Sequence, residues 1–286
     1  MTDPNADFVR ERARLAGIAY RMTGSHHDAE DIVQEAWIRY EHNHTAVEIP
    51  AAWLTTTVTR MSIDRIRRRA TERARYVGPW LPEPVAIQPT PEEVVDTANS
   101  LTLAFLVMLD RLSPLERAAF VLVDVFGESY SSVSVILGRT EPACRQLVHR
   151  ARTRMHSDRE SSLVPLDDRL LQRLVAALID DDQPTLLALL APDVVLTSDG
   201  GADQRAARRP VVGRDRVARF LTNLSHRVVG SSITEGEVNY GACLFIHATD
   251  RSIVLTGAVR GNEIASLTVM LNQDKIAGAE DRRSLR

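Results

Sequence analysis

Residues 112–155 read LSPLERAAFVLVDVFGESYSSVSVILGRTEPACRQLVHRARTRM, and this stretch decides the fold class of the first half of the chain. Its spacing predicts helix, tight turn, helix. Thr140 can cap the last helix, and Pro142 falls in its first turn, where a missing N–H does least harm. Cys144, Leu147, Val148, Ala151 and Met155 then recur at helical spacing as one apolar stripe. The opposite face carries Arg145, Gln146, His149 and Arg152, with Arg150 beside it. Tyr130, Val133, Ile136 and Leu137 form the stripe of the preceding helix, and Gly138 tolerates the left-handed turn between the two. A basic second helix in this arrangement can enter the DNA major groove, where Arg and Gln bond base edges in pairs. A solvated basic helix in an ordinary bundle presents the same pattern.

The chain of 286 residues has room for two or three small domains, and 44% hydrophobic residues are ample for packed cores. No apolar run approaches the length of a membrane span, and MTDPNADFVRERARL lacks a signal-peptide core. The two cysteines, Cys144 and Cys243, are isolated, so neither a zinc motif nor a disulfide framework is expected. The expectation is a cytoplasmic protein without metal or cofactor and without a membrane partner. The net charge of -3 conceals two basic blocks. Residues 60–75 hold seven Arg against Asp64 and Glu72, a balance of +5, and 139–154 hold five Arg against Glu141, a balance of +4. Charge so concentrated fits two local nucleic-acid contacts.

Residues 8 to 75 read as about three helices. Ser25 and Asp28 form a capping-box-like start, and Ala29, Ile32, Val33, Ala36, Trp37 and Tyr40 follow as a long apolar stripe. Opposite lie Glu30, Asp31, Gln34, Glu35 and Arg39, with Ile38 set among the carboxylates. Such an Ile fits a basic, partly apolar protein partner; read alone, it is an ordinary exposed Ile. After the polar loop EHNHTAVEIP, the next helix begins at Pro50. Leu54, Val58, Met61 and Ser62 face one way, while Trp53, Thr57, Arg60, Asp64, Arg67 and Arg68 share another side. Ring, hydroxyl and guanidinium on one face suit single-stranded nucleic acid; a core Trp beside solvated arginines reads equally well.

Beyond this helix, YVGPWLPEPVAIQPTPEE is too rich in proline for a regular helix. Trp80, Leu81, Pro82, Glu83 and Pro84 read either as a docking segment anchored by Trp80 or as a semi-rigid spacer. The last 120 or so residues can form a separate domain. Helices are expected at 166–178, over LLALLAP and at 214–225, and a strand at 194–197 enters a turn at Asp199, Gly200 and Gly201. Strands near 240–248, 251–259 and 263–271 follow, giving an α+β domain with a curled antiparallel sheet.

Two patterns carry a resemblance: DAEDIVQEAW followed by WLTTTVTRMSIDRIRR, then LSPLERAAFVLVDVF and GRTEPACRQLVHRAR. In this order they resemble the extracytoplasmic-function group of the bacterial sigma-70 family, over residues 8 to 156. WLPEP at 80–84, SDGG at 198–201 and LNQDKI at 271–276 resemble the linker, glycine-rich and tail motifs of members carrying a SnoaL-like C-terminal domain. Gln273 replaces a proline of the tail, and Ala202-Asp203 stands where Gly and a basic residue are usual. The resemblance implies a multidomain fold: all-α sigma2 at 1–76, a Pro-rich linker at 77–100, an all-α helix-turn-helix sigma4 at 101–158, and a SnoaL-like cone at 165–280.

It further implies a non-enzymatic specificity subunit that brings core RNA polymerase to promoters and helps open the −10 element. Asp28, Asp31, Gln34, Glu35, Ile38 and Arg39 would dock on the polymerase β′ clamp, and the β flap would be a second polymerase contact. Trp53, Thr57, Arg60, Arg67 and Arg68 would engage the −10 element, with the 41–49 loop receiving a flipped base. Thr140, Arg145, Gln146, His149, Arg150 and Arg152 would read the −35 element. Trp80 to Pro84 and Asp199 to Gly201 would mediate regulation within the chain. The alternative is a cone that binds a small ligand or performs catalysis and controls the attached DNA-binding domains; Asp199, Asn239, Tyr240 and His247 are its candidate pocket groups. A conventional helix-turn-helix repressor accounts for 112–155 but not for the Ile38 helix or the Trp53 face.

Overall fold

The computed structural model describes residues 4–73, 76, 78–85, 102–155, 163–202, 204 and 206–281. The linker beyond residue 85, up to 101, and Asp203 lie outside the described residues. The chain divides into two compact units: Met1–Ala74 with Met108–Asp158, and Arg75–Val107 with Arg159–Arg286.

The first unit is helical. It opens with α1 (Pro4–Thr23), α2 (His26–Asn43) and α3 (Pro50–Arg73). The Ser25 hydroxyl caps α2 by accepting from the Asp28 N–H at 3.1 Å. Ala29, Ile32, Val33, Ala36 and Tyr40 are buried as the periodicity requires, and half-buried Trp37 packs on Phe8 with ring centroids 4.7 Å apart. The expected polar loop is shorter than its composition indicates. Glu41 to Asn43 continue α2, and His44–Ala46 form a 3-10 turn. The reason is side-chain capping: Asn43 Nδ2 donates to Arg39 O at 2.7 Å, and His42 Nδ1 lies 2.6 Å from Ile38 O. Only 47–49 are left as a connection.

Helix α4 (Leu103–Leu109) straddles the division at residue 107; the first unit then continues with α5 (Pro114–Phe120), a π-helical turn (Val121–Val125), α6 (Tyr130–Leu137) and α7 (Glu141–Met155). Ser113 and Glu116 form a full capping box on α5, Ser129 caps α6, and Gly138 closes it at φ 60°. Thr140 Oγ1 accepts from the Ala143 N–H at 3.4 Å at the start of α7, and the five-residue stripe from Cys144 to Met155 is buried. The turn and both helices lie where the sequence put them. Tyr130 and Leu137 are only half-buried, because Val133 and Ile136 alone fill the contact.

The second unit is α+β. Helices α8 (Asp168–Ile179), α9 (Gln183–Leu189), α10 (Arg214–Arg227) and α11 (Gln273–Asp281) accompany a seven-stranded sheet. Its strands are β1 (Val164–Pro165), β2 (Leu190–Asp199), β3 (Val211–Val212), β4 (Ser232–Val238), β5 (Gly241–His247), β6 (Ser252–Arg260) and β7 (Glu263–Met270). The order is β3-β2-β7-β6-β5-β4, with β1 added on β6. The fold class is the expected one, with two corrections. The sheet is mixed, since β2 runs parallel to β7. The long crossover through α10 and the β4–β6 meander brings the last strand alongside β2 in the same direction. The helix expected over LLALLAP stops at Leu189, and Leu190 to Pro192 already belong to β2. Pro192 lies at the register shift between Leu190 and Val195, where a strand tolerates a missing N–H. The core joins Leu171 and Leu174 of α8, Leu221 of α10 and the inward residues Leu244, Leu255 and Leu267 of the sheet.

Candidate functional site

Helices α2 and α3 enclose a groove of about 460 Å³ that gathers Asp31, Gln34, Glu35, Ile38 and Arg39 of α2 with Met61, Asp64, Arg65 and Arg68 of α3. Five of the six residues assigned to polymerase docking thus share one surface, and Ile38 is 42% exposed within it. The sixth, Asp28, does not belong there. Its side chain is fully buried, paired with Arg65 and, at 2.8 Å, with Arg69. The capped first turn of α2 points it inward, so it fastens α3 to α2 and presents no charge to a partner.

The α3 face assigned to the −10 element is divided. Trp53 and Thr57 are half-buried, the Trp53 ring 5.9 Å from that of Tyr40. Arg67 is exposed and 3.4 Å from Asp64, while Arg68 turns to the α2 groove. Arg60 donates from Nε to Ile136 O at 3.0 Å and from Nη2 to Val135 O at 3.4 Å, capping the carbonyl end of α6. Further contacts tie α1 to the second helical segment. Arg14 pairs with Glu128, the Arg21 guanidinium lies 5.1 Å from the Phe126 ring centroid, and buried Arg117 donates to Arg21 O at 2.8 Å.

On α7, Thr140, Arg145, Gln146 and His149 are exposed, with Arg145 spread over the Tyr130 ring at 4.7 Å and 2.8 Å from Glu141. Arg150 and Arg152 are exposed as well, and each is paired with a carboxylate. Arg150 Nε bonds Glu116 at 2.9 Å and Arg152 Nε bonds Asp124 at 2.9 Å, so both guanidiniums brace α7 against the preceding helices. Burial pushes the Glu116 carboxyl up, but hydrogen bonds from Arg150 and Ser113, with the charge of Arg154, outweigh it and hold the group below the usual range.

The second unit holds a densely bonded polar site of its own. Asp199, buried at the end of β2, receives four donors: the Tyr76 hydroxyl, Gly201 N–H at 3.0 Å, Leu81 N–H at 2.9 Å and Lys275 Nζ at 2.7 Å. Lys275 also donates to Leu81 O at 2.6 Å and sits 3.5 Å over the Trp80 ring. Asn272 Nδ2 donates to the Tyr76 oxygen at 2.9 Å. Burial raises the Tyr76 pKa, and the bonded Asp199 carboxylate raises it further, so the phenol keeps the proton it donates. A few residues on, Val85 and Asn239 exchange two bonds of 2.9 Å. Leu81, Pro82, Pro84 and Val85 are buried and Glu83 is half-buried. This is the docked reading of the segment, not the spacer.

Gly200 and Gly201 are demanded by close approach. A Cβ on Gly200 would stand 2.3 Å from Gln204 O, and Gly201 adopts φ +64° with Asn272 3.0 Å from where its Cβ would be. Gln273, in place of proline, bridges to the Ser252 backbone with two bonds of 2.9 Å. The sequence reading missed the parts that Tyr76, Lys275 and Asn239 play in this clasp. Polar residues flanking the quoted motifs were the available signal.

A separate cavity of about 320 Å³ lies between α8, α10 and strands β4 to β6. None of Asp199, Asn239, Tyr240 and His247 lines it; Tyr240 lines a different, more open pocket of about 590 Å³ beside Pro165, Gln172 and Glu235. Asn239 and Tyr240 form the β4–β5 turn at φ 52° and 58°. Among the described residues no group of three or more His, Cys, Asp or Glu is placed to hold a metal, and no helix is long and apolar enough to cross a membrane.

Comparison with known proteins joins these observations. Sigma-70 region 2 matches residues 8–72, and Sigma-70, region 4 matches residues 102–155. The ECF RNA polymerase sigma factor SigJ of Mycobacterium tuberculosis is 36% identical, covering 98% of this chain and 96% of its own length. The chain belongs to the extracytoplasmic-function sigma factors. The crystal structure of M. tuberculosis SigJ superposes with a TM-score of 0.79 at 34% identity, over 96% of this chain and 98% of that one. A probable ECF sigma factor of the same species, SigI, is 34% identical over 78% of each chain. As a sigma factor the chain directs transcription initiation from promoters, binding core RNA polymerase and promoter DNA, in a family of transcription factors that are not enzymes. The likeness to SigJ runs through the α+β domain, so that domain is part of the shared architecture.

Proposed function

We propose that this sigma factor divides its contacts as follows. The α2–α3 groove around Ile38 docks on the β′ clamp helices, and the helix-turn-helix region contacts the β flap. Trp53, Thr57 and Arg67 meet the melted −10 strand, with 47–49 beside the flipped base. Thr140, Arg145, Gln146 and His149 read the −35 duplex, with Arg150 and Arg152 beside them. Arg60 joins the −10 face only after leaving the carbonyls of α6. The element names set these sites about 25 base pairs apart, about 85 Å of duplex at 3.4 Å per pair. A helical unit in which Arg60 of α3 bonds Ile136 of α6 is too compact for that span. Opening therefore precedes promoter engagement.

The C-terminal domain regulates this opening in cis and performs no chemistry, in a protein working as a single copy in the cytoplasm. The observation that carries the reading is the Asp199 carboxylate, whose four donors include the Tyr76 and Leu81 groups of the segment that follows α3. Pinning 76–85 shortens the free tether between the two DNA-binding parts. Released, the 29 residues from 74 to 102 reach about 95–105 Å when fully extended. Run-off transcription with purified core polymerase tests both levels. The full chain is expected to start RNA at cognate promoters, and Asp199→Asn or Lys275→Ala to change the output. Failure to assemble with polymerase rejects the sigma contacts; output identical to the parent in both variants rejects the regulatory clasp alone.

A further inference from the structure

The cavity between α8, α10 and β4 to β6 plays no part in the reading above. We propose that it binds a small, uncharged, largely hydrocarbon molecule. Three observations point there.

The first is volume. At about 320 Å³ the space falls at the lower end of the range of roughly 300–1,000 Å³ typical of small-molecule sites. Apolar voids of about 150 Å³ in other proteins stay dry yet take up benzene-sized guests.

The second is the distribution of polarity. The floor consists of the buried side chains Leu221, Leu244, Ile246 and Leu255, none of which can bond a polar group. A charge driven to that depth would lose its hydration without replacement. Polar side chains come from Asp181, Ser225, His226 and Ser231. Asp181 and His226 are exposed, so one hydrogen-bonding end of the guest can meet them at the rim. The Asp181 carboxylate there disfavours an anionic head.

The third is the rim. Ile179, Val229 and Ile233 line the same opening and are 73%, 83% and 43% exposed. Large apolar side chains scattered singly need no explanation, but three around one opening mark a binding mouth. A flat protein face could cover them without reaching the leucine floor, whereas a small molecule contacts both.

The experiment is a fluorescence titration of the full-length chain with the neutral apolar dye N-phenyl-1-naphthylamine. Saturable enhancement is expected at one dye per chain, reversed by 1-octanol and, at equal concentration, far less by octanoate. Leu244→Trp, which fills the floor, is expected to abolish the saturable signal. Ile179→Asp, at an exposed position that tolerates charge, is expected to weaken the dye by about tenfold while the far-UV spectrum stays unchanged. Absence of saturable enhancement overturns the proposal, as does a signal untouched by Ile179→Asp. Displacement by octanoate as effective as by octanol overturns the uncharged class. None of these readouts involves polymerase or promoter, so failure here leaves the transcription reading standing.

Discussion

In the helical unit the buried carboxylate of Asp28 is met by Arg65 and Arg69, whose side chains remain 28% and 19% exposed. In the C-terminal unit Asp199 is met by Lys275, itself only 4% exposed, and by groups as far as 123 residues away in sequence. The two sites solve one problem at different dielectric. Arginines that keep water on one side hold neighbouring helices together with little desolvation. A lysine withdrawn from water depends on its carboxylate, its carbonyl and an aromatic face all being present. The first is an internal brace. The second is a joint between distant segments, and it loses its parts together.

That contrast can be broken most severely at the joint. Asp199→Ala leaves a buried ammonium unpaired and is expected to destabilise the C-terminal unit by about 3–5 kcal/mol, read from denaturant melts of the full chain. Loss below about 1 kcal/mol would show that Lys275 reaches water easily. Asp28→Ala should weaken the helical unit less, by about 2–3 kcal/mol, since its arginines can rehydrate. An equal loss at the two sites would erase the distinction.

Glu116 sharpens the comparison through pH. Its folded pKa is lowered, so its contribution is complete above the ordinary glutamate value of about 4.3 and is lost as pH falls through the folded value. The acid limb of helical-unit stability should therefore flatten in Glu116→Gln, and an unchanged limb would remove the role assigned to Arg150 and Arg154. The smallest effect belongs to Arg60→Ala, about 0.5–1 kcal/mol for a partly exposed carbonyl cap. If the interface is a closed form, this variant should raise the on-rate for promoter DNA in the polymerase complex.

The helical unit was readable because its information is local. The Cys144 to Met155 stripe, the Ser113 and Ser129 caps and Gly138 each act within a turn or two of chain. What escaped was direction and partner. Asp28 has the composition of a surface acid, yet one turn of capped helix aims it inward. Arg150 and Arg152 read as groove readers, but the carboxylate that each finds in the preceding helices did not show. In the α+β unit, β4 reads SITEGEV and exposes most of its residues at the sheet edge, so it carries little apolar alternation. The parallel β2–β7 pair joins residues as far apart in sequence as Val195 and Ser266, which no window of sequence contains. The motif residues Trp80 to Pro84 and Asp199 to Gly201 were recognisable as a set, but the donors that complete them were not.

Lys275 is the only lysine in the chain. Its amine is occupied by a carboxylate, a carbonyl and an indole face. Beyond the amino terminus, then, an amine-selective acylating reagent has one side-chain target in the whole chain. How fast that target reacts is a direct gauge of how often the joint comes apart, with no label to be engineered.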